Sequence, residues 1–219
     1  MKIKLISKIK GIIWDWNGTL LNDSALAVDS MNRMLCKRGL PVLSMVRYKN
    51  VFTFPVRDYY QLIGFDFDQE PFEIPALEFI DHYNQMVRDC SLHENTLMVL
   101  NYFKNRGIRQ CILSAMKQET LDQCLEYYQI SHFFEMVSGL DDHYANSKLD
   151  SGRAMIKKLN LEPKELLLIG DTIHDFEVAS ELGCYCILVS NGHQSHERLK
   201  STGVLVIDNL SQLTDQQLH

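Results

Sequence analysis

Ile12-Ile13-Trp14-Asp15-Trp16-Asn17-Gly18-Thr19-Leu20 is the stretch on which the reading of this 219-residue chain turns. An apolar run ends on a carboxylate; a second short polar side chain follows two residues later, and then Gly-Thr. The run reads as a buried strand that stops at Asp15 and turns sharply. A strand-end aspartate standing alone is a solvated turn or capping residue. Three later segments lift Asp15 out of that class, because each offers a partner that a reactive carboxylate needs.

Working outward, the pattern changes after Leu21. Asn22-Asp23-Ser24 supplies helix N-cap residues, Val28, Met31 and Leu35 recur at helical spacing, and Gly39 and Pro41 stop the helix. From there to about Cys90 only helical signals follow, at 44–50, 56–63 and 71–88, and no strand is evident. The rhythm then alternates. Apolar runs at 108–113, 133–137, 166–169, 185–189 and 204–207 are separated by helical patterns at 94–105, 117–128, 151–159 and 175–182, the last capped by Gly183. Near-continuous apolar strands alternating with helices predict an α/β fold whose parallel sheet is covered on both faces. Residues 1–20 and 92–219 form the expected core, and 21–91 an all-helical insert. No internal repeat or low-complexity segment interrupts either.

Composition narrows the function. Hydrophobic residues at 46% and charged residues at 23% describe an ordinary soluble globular chain. A net charge of −6 argues against a nucleic-acid partner. No apolar run is long enough for a membrane span. Residues 1–10 alternate Lys with Ile and Leu, without the apolar centre of a signal peptide, so a cytoplasmic mature protein is expected. The six cysteines form no CxxC pair and read as free thiols in a reducing compartment. Oligomeric state leaves no signal.

Ligands of an open parallel sheet sit beyond the carboxyl ends of its strands. Four segments place polar side chains there: Asp15, Asn17, Gly18 and Thr19; Ser114-Ala115; Asn146-Ser147-Lys148; and Gly170-Asp171-Thr172-Ile173-His174-Asp175. Together they suit phosphoryl transfer through a carboxylate nucleophile. A phosphate ester and a carboxylate repel each other, so a divalent cation is needed between them. Mg²⁺, which takes carboxylate, water and phosphate oxygens, fits. Asp15 and Asp171 would ligate it, with Asp175 in direct or outer contact and the main-chain carbonyl of Asn17 as a further ligand. Ser114 and the first-loop amides would hold phosphoryl oxygens, and Lys148 would neutralise charge in the transition state.

The order Asp15-x-Asn17-Gly18-Thr19, Ser114, Lys148, Gly170-Asp171-x-x-x-Asp175 resembles the four motifs of the haloacid dehalogenase superfamily, and the helical insert resembles the cap of its phosphoglycolate-phosphatase-like branch. The resemblance spans nearly the whole chain. It implies a Rossmann-like sheet of five or six strands, Asp15 as nucleophile, phosphoryl binding by Ser114 and Lys148, Mg²⁺ on the fourth-motif acids, and a cap that closes over a small phosphorylated substrate. Arg57 is the cap residue placed to touch that substrate or to pair with Asp58. Phosphonate hydrolysis would need a cap lysine that forms an imine, and Lys49 is a candidate that is not favoured. His174 is expected near the site without ligating, His193 on its rim, and a His193–His196 metal pair is not favoured.

One position departs from the pattern. Family phosphatases carry a second Asp where this chain has Asn17. That Asp protonates the leaving group and then activates water, and an amide does neither. General acid–base catalysis contributes roughly 10²–10⁴-fold. Intact binding with slow turnover is therefore expected, least slow for acyl and aryl phosphates. A non-catalytic protein that binds a phosphorylated ligand or partner is the alternative.

Overall fold

A computed structural model of the chain describes residues 8–140 and 148–214. In chain order, β1 (Gly11–Trp14) leads through the first loop to β2 (Leu21–Asn22). Four helices follow: α1 (Ser24–Lys37), α2 (Met45–Val51), α3 (Val56–Leu62) and α4 (Glu73–Met86). The chain returns through β3 (Ser91–Leu92) to α5 (Thr96–Asn105), β4 (Arg109–Lys117), α6 (Gln118–Tyr127) and β5 (Met136–Leu140). Beyond residues 141–147 come α7 (Lys148–Leu159), β6 (Leu166–Gly170), α8 (Ile173–Leu182), β7 (Tyr185–Val189), α9 (His196–Lys200) and β8 (Leu205–Ile207).

Six strands form one sheet in the order β5-β4-β1-β6-β7-β8, and every neighbouring pair is parallel. β1 lies between β4 and β6, with Gly11 opposite both Arg109 and Leu166. Its residues divide between the two faces. Ile12 and Trp14 pack with Val99, Leu100, Phe103 and Leu121, whereas Ile13 packs with Leu113, Met155, Leu168 and Val178. A strand buried on both faces needs apolar residues at every position, which is why the sequence reads as a run rather than an alternation. No described helix is long and apolar enough to cross a membrane.

The helical insert has a core of its own. Ala27, Met31 and Leu35 of α1 meet Tyr48, Tyr59, Tyr60 and Ile63, and the rings of this cluster contact edge to face, as between Tyr59 and Tyr60 at 5.8 Å.

The structure corrects three expectations. The insert is not free of strands at its boundaries: β2 and β3 pair antiparallel, Leu21 opposite Leu92 and Asn22 opposite Ser91. Two residues are too few for a period-2 signal to emerge. β4 does not end before Ser114 but runs to Lys117, with a register shift against β5 between Leu113 and Lys117. Such an irregularity turns a strand without ending it. The 133–137 run resolves into a short 3-10 turn at Ser131–Phe133 followed by β5, two residues or more later than expected.

One buried polar chain threads this core. Trp14 Nε1 donates to Gln110 Oε1 at 3.0 Å, and Gln110 Nε2 donates to the carbonyl of Leu100 at 3.0 Å. Replacement by an apolar isostere strands one donor and one acceptor away from water. Gln110→Leu is expected to destabilise the fold by about 1–3 kcal/mol, read as a lowered urea midpoint with an unchanged slope.

Candidate active site

The site is assembled where β1, β4 and β6 end. The Asp15 amide extends the ladder to the carbonyl of Ile169 at 2.8 Å, so the carboxylate leaves the sheet at its carboxyl edge. The chain then turns on itself, with the amides of Leu20 and Leu21 both donating to the Trp16 carbonyl at 3.0 Å. Gly18 adopts φ +72° in this turn, and a β-carbon there would collide with the Asp171 carboxylate and the His193 ring. The glycine is thus required twice, by backbone hand and by proximity.

Three buried carboxylates converge, those of Asp15, Asp171 and Asp175, with one oxygen from each lying within 4.8 Å of the others. Lys148, the first residue of α7, places its Nζ 2.5 Å from Asp15 Oδ1 and 2.6 Å from Asp175 Oδ1. Thr19 Oγ1 bridges Asp15 Oδ2 at 3.2 Å and Asp171 Oδ1 at 3.1 Å. The His193 amide donates to Asp171 Oδ2 at 2.5 Å. Asp175 is the most tightly held. Its second oxygen accepts from the Asp171 and Thr172 amides and from Thr172 Oγ1, closing a reciprocal cap on α8.

Charge in this cluster is unbalanced. Burial raises the Asp15 carboxyl; Lys148 opposes the rise, and Asp175 and Asp171 add to it. Burial likewise raises Asp171, against the pull of His193. Asp175 moves down despite its burial, because Lys148 and the Thr172 donors stabilise its charge. Lys148 is held charged by Asp15 and Asp175 against its own burial. Three buried acids share one ammonium, so the cluster is short of positive charge when its carboxyls ionise. An all-oxygen donor set with that shortfall suits a hard divalent cation.

Asn17 faces away from this cluster, toward the insert. Its Nδ2 donates to Asp23 Oδ2 at 3.0 Å and to the Tyr83 hydroxyl oxygen at 2.8 Å, and Ser114 Oγ donates to its Oδ1 at 3.4 Å. Tyr83, on α4, in turn donates to Asp23 Oδ2 at 2.5 Å. Asp23 also accepts from the Gly18 amide at 2.7 Å and lies 3.2 Å from His193 Nε2. Its charge is held below the usual carboxylate range in spite of burial, by His193, Tyr83 and Asn17. His193 rises to about 9, since Asp23 and the two nearby acids outweigh the cost of burying the imidazolium. Tyr48 meets its other ring nitrogen at 2.8 Å.

Of the residues singled out by sequence, Asp15, Asn17, Gly18, Thr19, Ser114, Lys148, Asp171 and Asp175 come together at one place through the contacts above. Ala115 is exposed on the cavity wall. Asn146 and Ser147 lie outside the described residues. Four further residues weighed from the sequence lie as follows. Arg57 turns to the rings of Phe67 and Phe72, 4.7 and 5.7 Å from their centroids, instead of the cavity. Lys49 donates to the Asn191 carbonyl at 3.2 Å, tying α2 to the loop after β7. His174 does reach the cavity, but against the Phe54 ring at 4.8 Å. His196 meets Asp208 and Ser190, apart from His193.

Asp23 and Tyr83 escaped the sequence reading. Asp23 was expected to cap α1, but its side chain makes no cap hydrogen bond and folds back to the first loop. Three successive cap-forming residues, Asn22-Asp23-Ser24, concealed it. Tyr83 was visible only as one apolar position of a helix.

A family model described as haloacid dehalogenase-like hydrolase matches residues 12–189. An N-acetylmuramic acid 6-phosphate phosphatase of Pseudomonas putida is 24% identical over 196 residues, covering 85% of each chain. A phosphoglycolate phosphatase of Vibrio cholerae is 27% identical over 213 residues, 88% of this chain and 89% of that one. In structure, a haloacid dehalogenase-like family hydrolase from Streptococcus pneumoniae superposes with a TM-score of 0.81 at 18% identity, over 94% of this chain and 97% of the other. With a match across most of its length and the motif residues gathered at one sheet edge, the chain belongs to the haloacid dehalogenase-like hydrolase family.

Proposed function

We propose that the chain is a Mg²⁺-dependent phosphoric monoester hydrolase acting on a small phosphorylated molecule through an aspartyl-phosphate intermediate. The observation that carries this reading is the convergence of Asp15, Asp171, Asp175 and Lys148 at the carboxyl edge of β1 and β6. The phosphatase names borne by relatives on either side of 25% identity support the same reaction class.

Asp15 is the nucleophile. One of its oxygens attacks phosphorus, the ester oxygen departs with the bonding pair, and water later cleaves the acyl phosphate to restore the carboxylate. Lys148 stabilises the charge that spreads over the phosphoryl oxygens, and its pairing with Asp175 keeps it aimed there between turnovers. Ser114, Thr19 and the amides around Gly18 and Ala115 hold those oxygens. Asp15, Asp171 and the main-chain carbonyl of Asn17 would hold Mg²⁺, which supplies neutralisation between carboxylate and phosphate. Asp175, paired with Lys148 through one oxygen and with the Thr172 donors through the other, fixes Lys148 and the head of α8.

Asn17 sets the rate. Its amide donates to Asp23 and Tyr83, a role a carboxylate does not fill, and it offers no proton to a leaving group. Asn17→Asp would place a second carboxylate beside Asp23, where like charge favours the protonated acid. This variant is expected to raise kcat on an alkyl phosphate by a factor within about 10²–10⁴, while lowering the melting temperature. Steady-state assays of both forms check it, and equal kcat values would show that another group already supplies the proton.

Mg²⁺ at 100 times its dissociation constant is expected to stabilise the folded chain by about 2.7 kcal/mol. Asp171→Asn should lose most of this gain while remaining folded without metal, and chelation should abolish turnover. Calorimetry with and without Mg²⁺ reads the first effect, and an unchanged melting temperature in the wild type would remove the metal from the proposal.

A further inference from the structure

A cavity of about 300 Å³ rises from Asp15 into the helical insert. Its floor is the carboxylate and ammonium cluster. Its upper walls are apolar, formed by Met31, Phe52, Phe54, Ala76, Phe79 and Ile80. The cationic side chains among its described lining residues are already engaged. Lys148 is bound to Asp15 and Asp175, His193 to Asp23, and Lys117 to Glu119 at 2.8 Å, while His174 lies against Phe54. Arg57, the insert's nearest alternative, is stacked on Phe67 and Phe72. A leaving group bearing a second anion would bury its charge with no free cation among the described lining residues, and the few neutral polar groups on the walls, such as Asn84 and the Tyr59 hydroxyl, offer little to the hydroxyls of a sugar. A flat apolar group fills the same space with edge and face contacts.

A separate observation constrains the leaving group chemically. Asn17 stands where a general acid would be, and both of its amide hydrogens are committed to Asp23 and Tyr83. The ester oxygen must then depart as an anion. A phenol with a pKa of about 10 makes that departure far easier than an alkanol, whose pKa is near that of water.

Resting on the phosphatase reading above, we propose that the substrate class of this site is the small aryl phosphate monoester: an apolar phenol, of one or two rings, carrying a single phosphoryl group. Asp15 Oδ forms a bond to phosphorus as the bond from phosphorus to the aryl oxygen breaks. The electron pair leaves on the aryl oxide, which takes a proton from solvent water and leaves a hydroxide that the proton released in the second step neutralises. Water then adds at phosphorus, the bond to Asp15 breaks with its pair returning to the carboxylate, and inorganic phosphate and one proton are released.

The test uses the wild-type chain with Mg²⁺ and compares kcat/KM for acetyl phosphate, phenyl phosphate, 1-naphthyl phosphate, phosphoglycolate and glucose 6-phosphate. The two aryl esters are expected to exceed both alkyl esters by at least about 10²-fold, in line with the missing acid. A second measurement separates cavity from leaving group. Benzylphosphonate, which is not hydrolysed, should inhibit acetyl phosphate hydrolysis at least tenfold more tightly than methylphosphonate. Equal inhibition by the two phosphonates, or alkyl esters matching the aryl ones, would overturn the aryl assignment while leaving a phosphatase in place. Failure to hydrolyse any of the five, acetyl phosphate included, would remove the phosphatase reading itself and this inference with it.

Discussion

The ammonium of Lys148, seated between Asp15 and Asp175, is the interaction on which the arrangement depends. Three buried acids repel one another, and burying each costs several kcal/mol unless it is compensated. The sheet brings Asp15 and Asp171 to adjacent strand ends, because β1 and β6 are neighbours in register. α8 adds Asp175 through its cap, and α7 delivers the ammonium that pairs with two of the three acids, while His193 acts on Asp171. The elements around the cluster hold these four side chains together at one edge of the sheet.

A second network joins the core to the insert. Asp23 accepts from the first loop, from Tyr83 on α4 and from Asn17, and is balanced by His193 from the loop after β7. Three segments, the first loop, α4 and the loop after β7, share this one carboxylate. The side chain at position 17 is therefore fixed by a neighbour that needs a donor, which gives the amide a structural reason to be there beyond the chemistry it withholds.

The fold was legible because its strands are buried on both faces. Ile12-Ile13-Trp14 and Leu166-Leu167-Leu168-Ile169 announce themselves as unbroken apolar runs. The site was legible because its residues end strands or begin helices, where sequence punctuation is strong. What escaped depends on contacts between distant segments. Asp23 looks like a cap from its neighbours alone and becomes a junction only when Tyr83 and His193 arrive from 60 and more residues away. Arg57 carries the right charge for a substrate, yet the aromatic surroundings that retain it are set by the folded insert. The apolar cavity is likewise spread over α1, α4 and the segment after α2, with no local pattern to reveal it.

The short pairing of β2 with β3 brings the two ends of the insert side by side, Leu21 against Leu92. A segment that leaves and rejoins a chain at the same point is a side branch in topological terms. The parallel sheet closes through β1, β4 and β6 whatever lies between those two leucines. The branch is not independent of the core, however, because Tyr83 and Asp23 within it hold the Asn17 side chain, so a change of length is tolerated only where that junction is kept.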